Sequence, residues 1–177
     1  QDKATLEEYG KNVQGVWQAV PKILEAFAKY GIHATWATVG FMFAEGYEDL
    51  KKFFPKKEDL PSYERSILSS YRCFNDVAKE GANNKFFFAP SLIKAVAEVE
   101  GQEIGSHSFS HYYCDEKGQT VEQFRSDMQA AIDIAKAKGY ELKSFVFPRN
   151  QSREEYVKIL SDLGFTSYRA MANNWIH

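Results

Sequence analysis

The chain has only two cysteines among its 177 residues, Cys73 and Cys114. Two are too few for the disulfide framework of a small secreted domain, and both are expected as thiols in a reducing, cytoplasmic compartment. An excess of either charge is also missing, since 22 Lys and Arg stand against 24 Asp and Glu, with a formal net charge of -2 and a pI near 6.1. The basic residues are scattered, which excludes the electrostatic footprint of a binder of nucleic acid or anionic lipid. No window approaches the roughly 20 apolar residues of a membrane span, and the opening QDKATLEEYG lacks the basic-then-apolar order of a signal peptide. Low-complexity tracts and internal repeats are absent too.

Aromatic and aliphatic residues are plentiful: 44% of the chain is hydrophobic and 15% aromatic, a composition that supports an ordered interior. The length suits one domain over residues 1–177 with a sizeable core. From Leu6 to Tyr30, apolar residues recur at steps of three and four, including Val13, Val16, Trp17, Val20, Ile23, Leu24 and Phe27. That spacing predicts one buried helix face, kinked at Pro21 and stopped at Gly31, with the strand IHATWATVG after it. Residues 45–88 are charged and broken by prolines, and are expected as an irregular surface excursion inserted into the domain.

A second helix begins at Pro90, ends before Gly101 and leads into the strand QEIGSHS. Thr120 with Gln123, and Ser152 with Glu155, have capping-box spacing and predict two further helix starts. Those helices stop at Gly139 and Gly164 and yield the strands LKSFVFP and FTSYRA. Four helix–glycine–strand units predict an α/β fold with a parallel sheet and crossover helices, as an open sheet or a barrel. Functional residues of such folds collect at the carboxyl ends of strands, where His107, His111, Pro148 and Arg149 fall.

Within EIGSHSFSHYYC, His107 and His111 stand four residues apart directly after a strand. Imidazole nitrogens there can hold a divalent metal, or the two can be ordinary loop residues bonded to their neighbours. Cys114 lies three residues beyond, so a closed His, His, Cys zinc site competes with a small buried cysteine. His33 and the terminal His177 carry no signal above background. In SFVFPRNQ, backbone N–H groups around Arg149 can face an anion, or the segment is a plain turn with a solvated arginine. Tyr112 and Tyr113 suit a sugar site and ordinary packing equally.

Taken together, three stretches resemble the polysaccharide deacetylase family, the NodB-homology domains of carbohydrate esterases. HATWATVG is similar to the family's ATFFVTG strand, EIGSHSFSH to its EIGxHTxxH metal motif, and FVFPRNQ falls where its proline-containing third motif belongs. The similarity spans about residues 5–170. It implies an irregular (β/α) barrel and metal-dependent hydrolysis of N- or O-acetyl groups on a glycan, with zinc the foremost metal. It also implies that His107 and His111 are metal ligands and that the backbone N–H of Arg149 is a catalytic oxyanion donor. Tyr112, Pro148 and Asn150 are then expected on the substrate side.

The pattern departs from the family in three places. The family's Asp pair, which supplies the third ligand and the general base, would precede the first long helix. Asp2 stands near there without an apolar strand before it and is assigned neither role. The Leu-x-His segment of the general acid is matched poorly by His177 after NNWI, and Val146 and Phe147 stand where the third motif carries its arginine. An incomplete barrel is therefore expected, with base, acid and third ligand outside this chain. Two alternatives remain: a non-catalytic glycan-binding module of the same fold, and an α/β domain with a structural metal site.

Overall fold

A computed structural model describes residues 6–73 and 87–171; Asp2 and His177 lie outside them. Helix α1 (Leu6–Tyr30) runs through Pro21 as a single element. Its apolar face is only partly used: Leu24 is buried and Trp17, Val20 and Phe27 are half-buried, but Val13, Val16 and Ile23 remain 37%, 40% and 40% exposed. Tyr30, the last member of the stripe, is 69% exposed, so among the described residues the fold covers this face only around Leu24. Gly31, at φ 63°, ends the helix, and the Ile32 N–H reaches back to the Phe27 carbonyl (2.9 Å), which satisfies a terminal acceptor.

Strand β1 (Ala34–Thr38) follows, then the short helix α2 (Tyr47–Lys51), helix α3 (Pro90–Ala97) and strand β2 (Gln102–Ser106). Helix α4 (Val121–Ala137), β3 (Ser144–Val146), α5 (Glu154–Asp162) and β4 (Ser167–Arg169) complete the alternation. The strands are all parallel and lie in the order β1-β2-β3-β4, with Trp36 opposite Ile104, Ser106 opposite Phe145, and Val146 opposite Arg169. Sequential parallel order with crossover helices is the wall of a (β/α) barrel; a closed barrel has about eight strands, and the described residues form four. The incomplete barrel is the architecture observed.

The helices pack on the sheet face that carries Trp36, Ile104 and Phe145, with the ring of Phe27 6.1 Å from Trp36 and that of Phe124 6.0 Å from Phe145. The opposite face is polar. Thr35 donates to Glu103 (2.6 Å), Ser144 donates to the other Glu103 oxygen (2.5 Å), and Ser144 and Ser167 share a bond of 2.8 Å. Period-two alternation thus separates an apolar side against the helices from a polar opposite side.

Helix α4 has the expected capping box, with both the Thr120 and Gln123 side-chain bonds formed. Helix α5 does not: its N-cap is Arg153, without a side-chain bond, and Ser152 lies one residue too early. Glu154 and Glu155 in its first turn favour the positive end of the helix instead, and Arg153 pairs with Asp115 (2.6 Å). Residues 45–73 are more than a surface excursion. Leu50 and Tyr63 are buried, and Phe54 and Tyr71 meet Phe41 edge-on or tilted at 6.4 and 5.4 Å, walling one side of the loop after β2.

Candidate metal centre

The hydrogen-bond ladder continues beyond the two first strands. His107 N–H donates to Thr38 (2.9 Å), Gly40 N–H to Ser108 (2.8 Å) and Phe41 N–H to Phe109 (3.2 Å), so β1 carries the start of the histidine loop. Gly40 permits this approach: a Cβ there would stand 2.8 Å from the Phe109 Cα and 2.6 Å from its ring. Gly40→Ala is expected to push the loop backbone away and cost about 1–3 kcal/mol, read as a lower urea midpoint. An unchanged midpoint would show that the loop yields freely.

The loop then reverses through two left-handed residues that are not glycine, Ser108 (φ 62°) and His111 (φ 60°). This brings the His107 and His111 rings to 4.8 Å between centroids, at 67°. His107 Nδ1 lies 2.7 Å from the Val146 carbonyl. A carbonyl can only accept, so Nδ1 carries the proton and Nε2 keeps its lone pair.

Burial lowers the His107 pKa, opposed by the bond to Val146 and aided by the positive charge of Arg169. His111 is lowered to about 4, first by burial and then by His107 and Arg149. Both rings are therefore neutral at pH 7, the state that a metal requires of imidazole. His111 is expected to titrate near pH 4 by NMR, and Arg149→Ala, which removes a repelling cation, to raise that midpoint. A downward move or no move would contradict the placement of the guanidinium charge.

Asp127, on α4, is buried beneath the loop and accepts from Phe109 N–H (2.8 Å), Ser110 N–H (3.4 Å) and the Ser110 hydroxyl. Burial pushes its carboxyl up to about 6 against those bonds, which hold it down. Cys114 is buried, and burial raises its thiol pKa well above the usual range. Among the described residues no group of three His, Cys, Asp or Glu forms, so the expected His, His, Cys alternative is not what the loop builds.

The other expected site residues separate. Tyr112 is fully buried, its hydroxyl donating towards Gln119 and Thr120 (2.8 and 2.9 Å) and its ring packed on Phe124; it belongs to the core and offers no surface to a sugar. Tyr113 takes the outward place. It meets His111 edge-on at 5.1 Å and lies under the Arg149 guanidinium at 4.1 Å.

Pro148 is buried and shapes the turn, with no open face for a ligand. Arg149 and Asn150 follow at φ 54° and 56°, both exposed, and Arg149 pairs with Glu116 (3.1 Å). Among the described residues the Arg149 backbone N–H has no acceptor. Sequence reasoning missed Asp127 and Gly40. Asp127 did leave a signal, being a carboxylate on the apolar stripe of α4 beside Phe124 and Met128.

The protein-family model described as polysaccharide deacetylase matches residues 14–168. Among solved structures, the chain is similar to a CE4 family pseudoenzyme from Bacillus anthracis, at 20% identity and a TM-score of 0.52, over 85% of this chain and 38% of that one. A mutant of that pseudoenzyme with restored enzymatic activity matches at 20% and 0.52, over 86% and 39%. A family 4 carbohydrate esterase from Streptomyces lividans, in complex with acetate, matches at 17% and 0.49, over 84% and 54%. The chain thus spans well under two thirds of these chains, and no curated protein matches it.

Proposed function

The chain belongs to the polysaccharide deacetylase family, and from that premise we propose that it forms the metal-holding part of a hydrolase that removes N- or O-acetyl groups from a glycan. The observation that carries this reading is the pair of facing, neutral imidazoles, one of them locked by Val146 with its Nε2 free. His107 and His111 would hold a divalent metal, zinc foremost. When bound, such an ion supplies a Lewis acid and lowers the pKa of water.

The chain's own residues then have distinct tasks. The Val146 carbonyl keeps the proton on His107 Nδ1 and so fixes which nitrogen faces the ligand. The N–H of Arg149, without an acceptor among the described residues, is a donor for oxyanion charge developing on the acetyl carbonyl, and the exposed left-handed turn at Arg149 and Asn150 presents it. Tyr113, held between His111 and Arg149, provides an aromatic surface for a sugar ring. No base or acid step is assigned to this chain, since among the described residues no carboxylate joins the pair.

That last point favours a second reading, a glycan-binding module of the same fold without turnover, in line with the pseudoenzyme among its structural relatives. Acetate release from an acetylated oligosaccharide, assayed with added zinc, decides between the two. Release that requires both histidines supports the hydrolase. Saturable sugar binding without acetate supports the module.

A further inference from the structure

We propose that Asp127 is the positioning residue of the histidine pair: its carboxylate, buried in α4, fixes the turn through residues 108–110 so that the rings of His107 and His111 face one another. A fully buried carboxylate must be matched by donors, and among the described residues every bond it accepts comes from the segment between the two histidines. The Ser110 hydroxyl and Phe109 N–H each take one oxygen, the Ser110 N–H leans on the second, and the Ser108 hydroxyl also acts on the carboxylate. Ser108 in turn accepts the Tyr112 N–H (2.7 Å), which closes the loop on itself.

The loop needs an external hold. Its two left-handed residues, Ser108 and His111, carry side chains that disfavour that conformation, and nothing in a free chain would keep both there. Asp127 can supply the hold because its own helix is fixed, by the Thr120–Gln123 capping box at one end and by buried Phe124 and Met128 on either side. Gly40 presses on Phe109 from the strand side, so the turn is clamped between β1 and α4. The catalytic value of this geometry rests on the metal-site reading above; the geometry itself does not.

The test uses the full chain and two readouts, a nuclear Overhauser contact between the His107 and His111 rings without metal, and cobalt(II) titration followed by its visible absorption. Asp127→Asn keeps the shape but points an amide N–H at the loop's donors. It is expected to lose the ring contact and to bind cobalt about 10- to 100-fold more weakly, the usual scale for removing a partner behind a ligand. Ala130→Gly, in the same helix, lowers helix stability without touching the loop, and both readouts should stay as in the wild type. An unchanged ring contact in folded Asp127→Asn overturns the proposal.

If Asp127→Asn does not fold, Ser110→Ala decides. The proposal requires a weaker ring contact and severalfold weaker cobalt binding there, and wild-type values overturn it. A wild type that shows the ring contact but binds no cobalt removes the metal reading and leaves Asp127 to be judged on the contact alone.

Discussion

Wild-type protein dialysed after exposure to zinc should retain about one equivalent of metal, and His107→Ala and His111→Ala should each retain only background. Each substitution leaves a single imidazole where two neutral rings stand 4.8 Å apart. Loss of a ligand should exceed the roughly 10- to 100-fold in affinity that follows loss of a partner behind one. His107→Ala also strands the Val146 carbonyl, at about 0.5–1.5 kcal/mol for one hydrogen bond, so its melting point must be recorded beside its metal content. His107→Asn separates the two effects, because an amide can still donate to Val146 but presents no second ring nitrogen. Cys114→Ser should keep the metal, since that buried thiol joins no cluster with the pair. Metal retained by both alanine variants would end the metal reading.

The layout of the barrel wall was legible because each of the four helices that precede a strand ends near a glycine that announces the stop. Gly31, Gly101, Gly139 and Gly164 all adopt positive φ, at 63°, 78°, 87° and 87°, and each lies between a helix and a parallel strand as its spacing predicts. The histidine pair was legible as a position, after β2, but not as a geometry. Nothing in SFSH marks Ser108 and His111 as left-handed, because the cause lies 16 to 19 residues away in Asp127 and across the sheet in Gly40. Long-range bonds of this kind override local preference without leaving a local pattern.

Tyr112 and Tyr113 show the same limit. Adjacent and identical in type, they part because Tyr112 finds Phe124 and the carbonyl of Thr120 inside, and Tyr113 finds His111 and Arg149 outside. On α1 the error ran the other way. A regular apolar stripe promised complete burial, but how much of a helix is covered depends on which neighbours reach it, and among the described residues Val13, Val16 and Ile23 find none that bury them fully.

Phe124→Ala should be the most destabilising single change among the described residues, at about 3–5 kcal/mol for a buried phenylalanine and thus a large share of the 5–15 kcal/mol typical of a whole domain. Phe124 is fully buried, and its ring meets Tyr112 at 5.5 Å, Phe145 at 6.0 Å, Phe147 at 6.4 Å and Tyr156 at 4.9 Å. Those partners come from the histidine loop, β3, the turn before Arg149, and α5, so a cavity there loosens four elements together. Phe124→Leu, which keeps most of the volume, should cost less. Urea unfolding reads both, with an unchanged slope marking a change in stability alone, and a loss below about 1 kcal/mol for Phe124→Ala would refute the packing described. The contrast with Asp127 is informative because it lies three residues along the same helix face. Phe124→Ala should lower stability far more than metal affinity at temperatures where the chain stays folded, and Asp127→Asn should do the reverse. One turn of α4 would then divide holding the barrel wall together from aiming the two histidines.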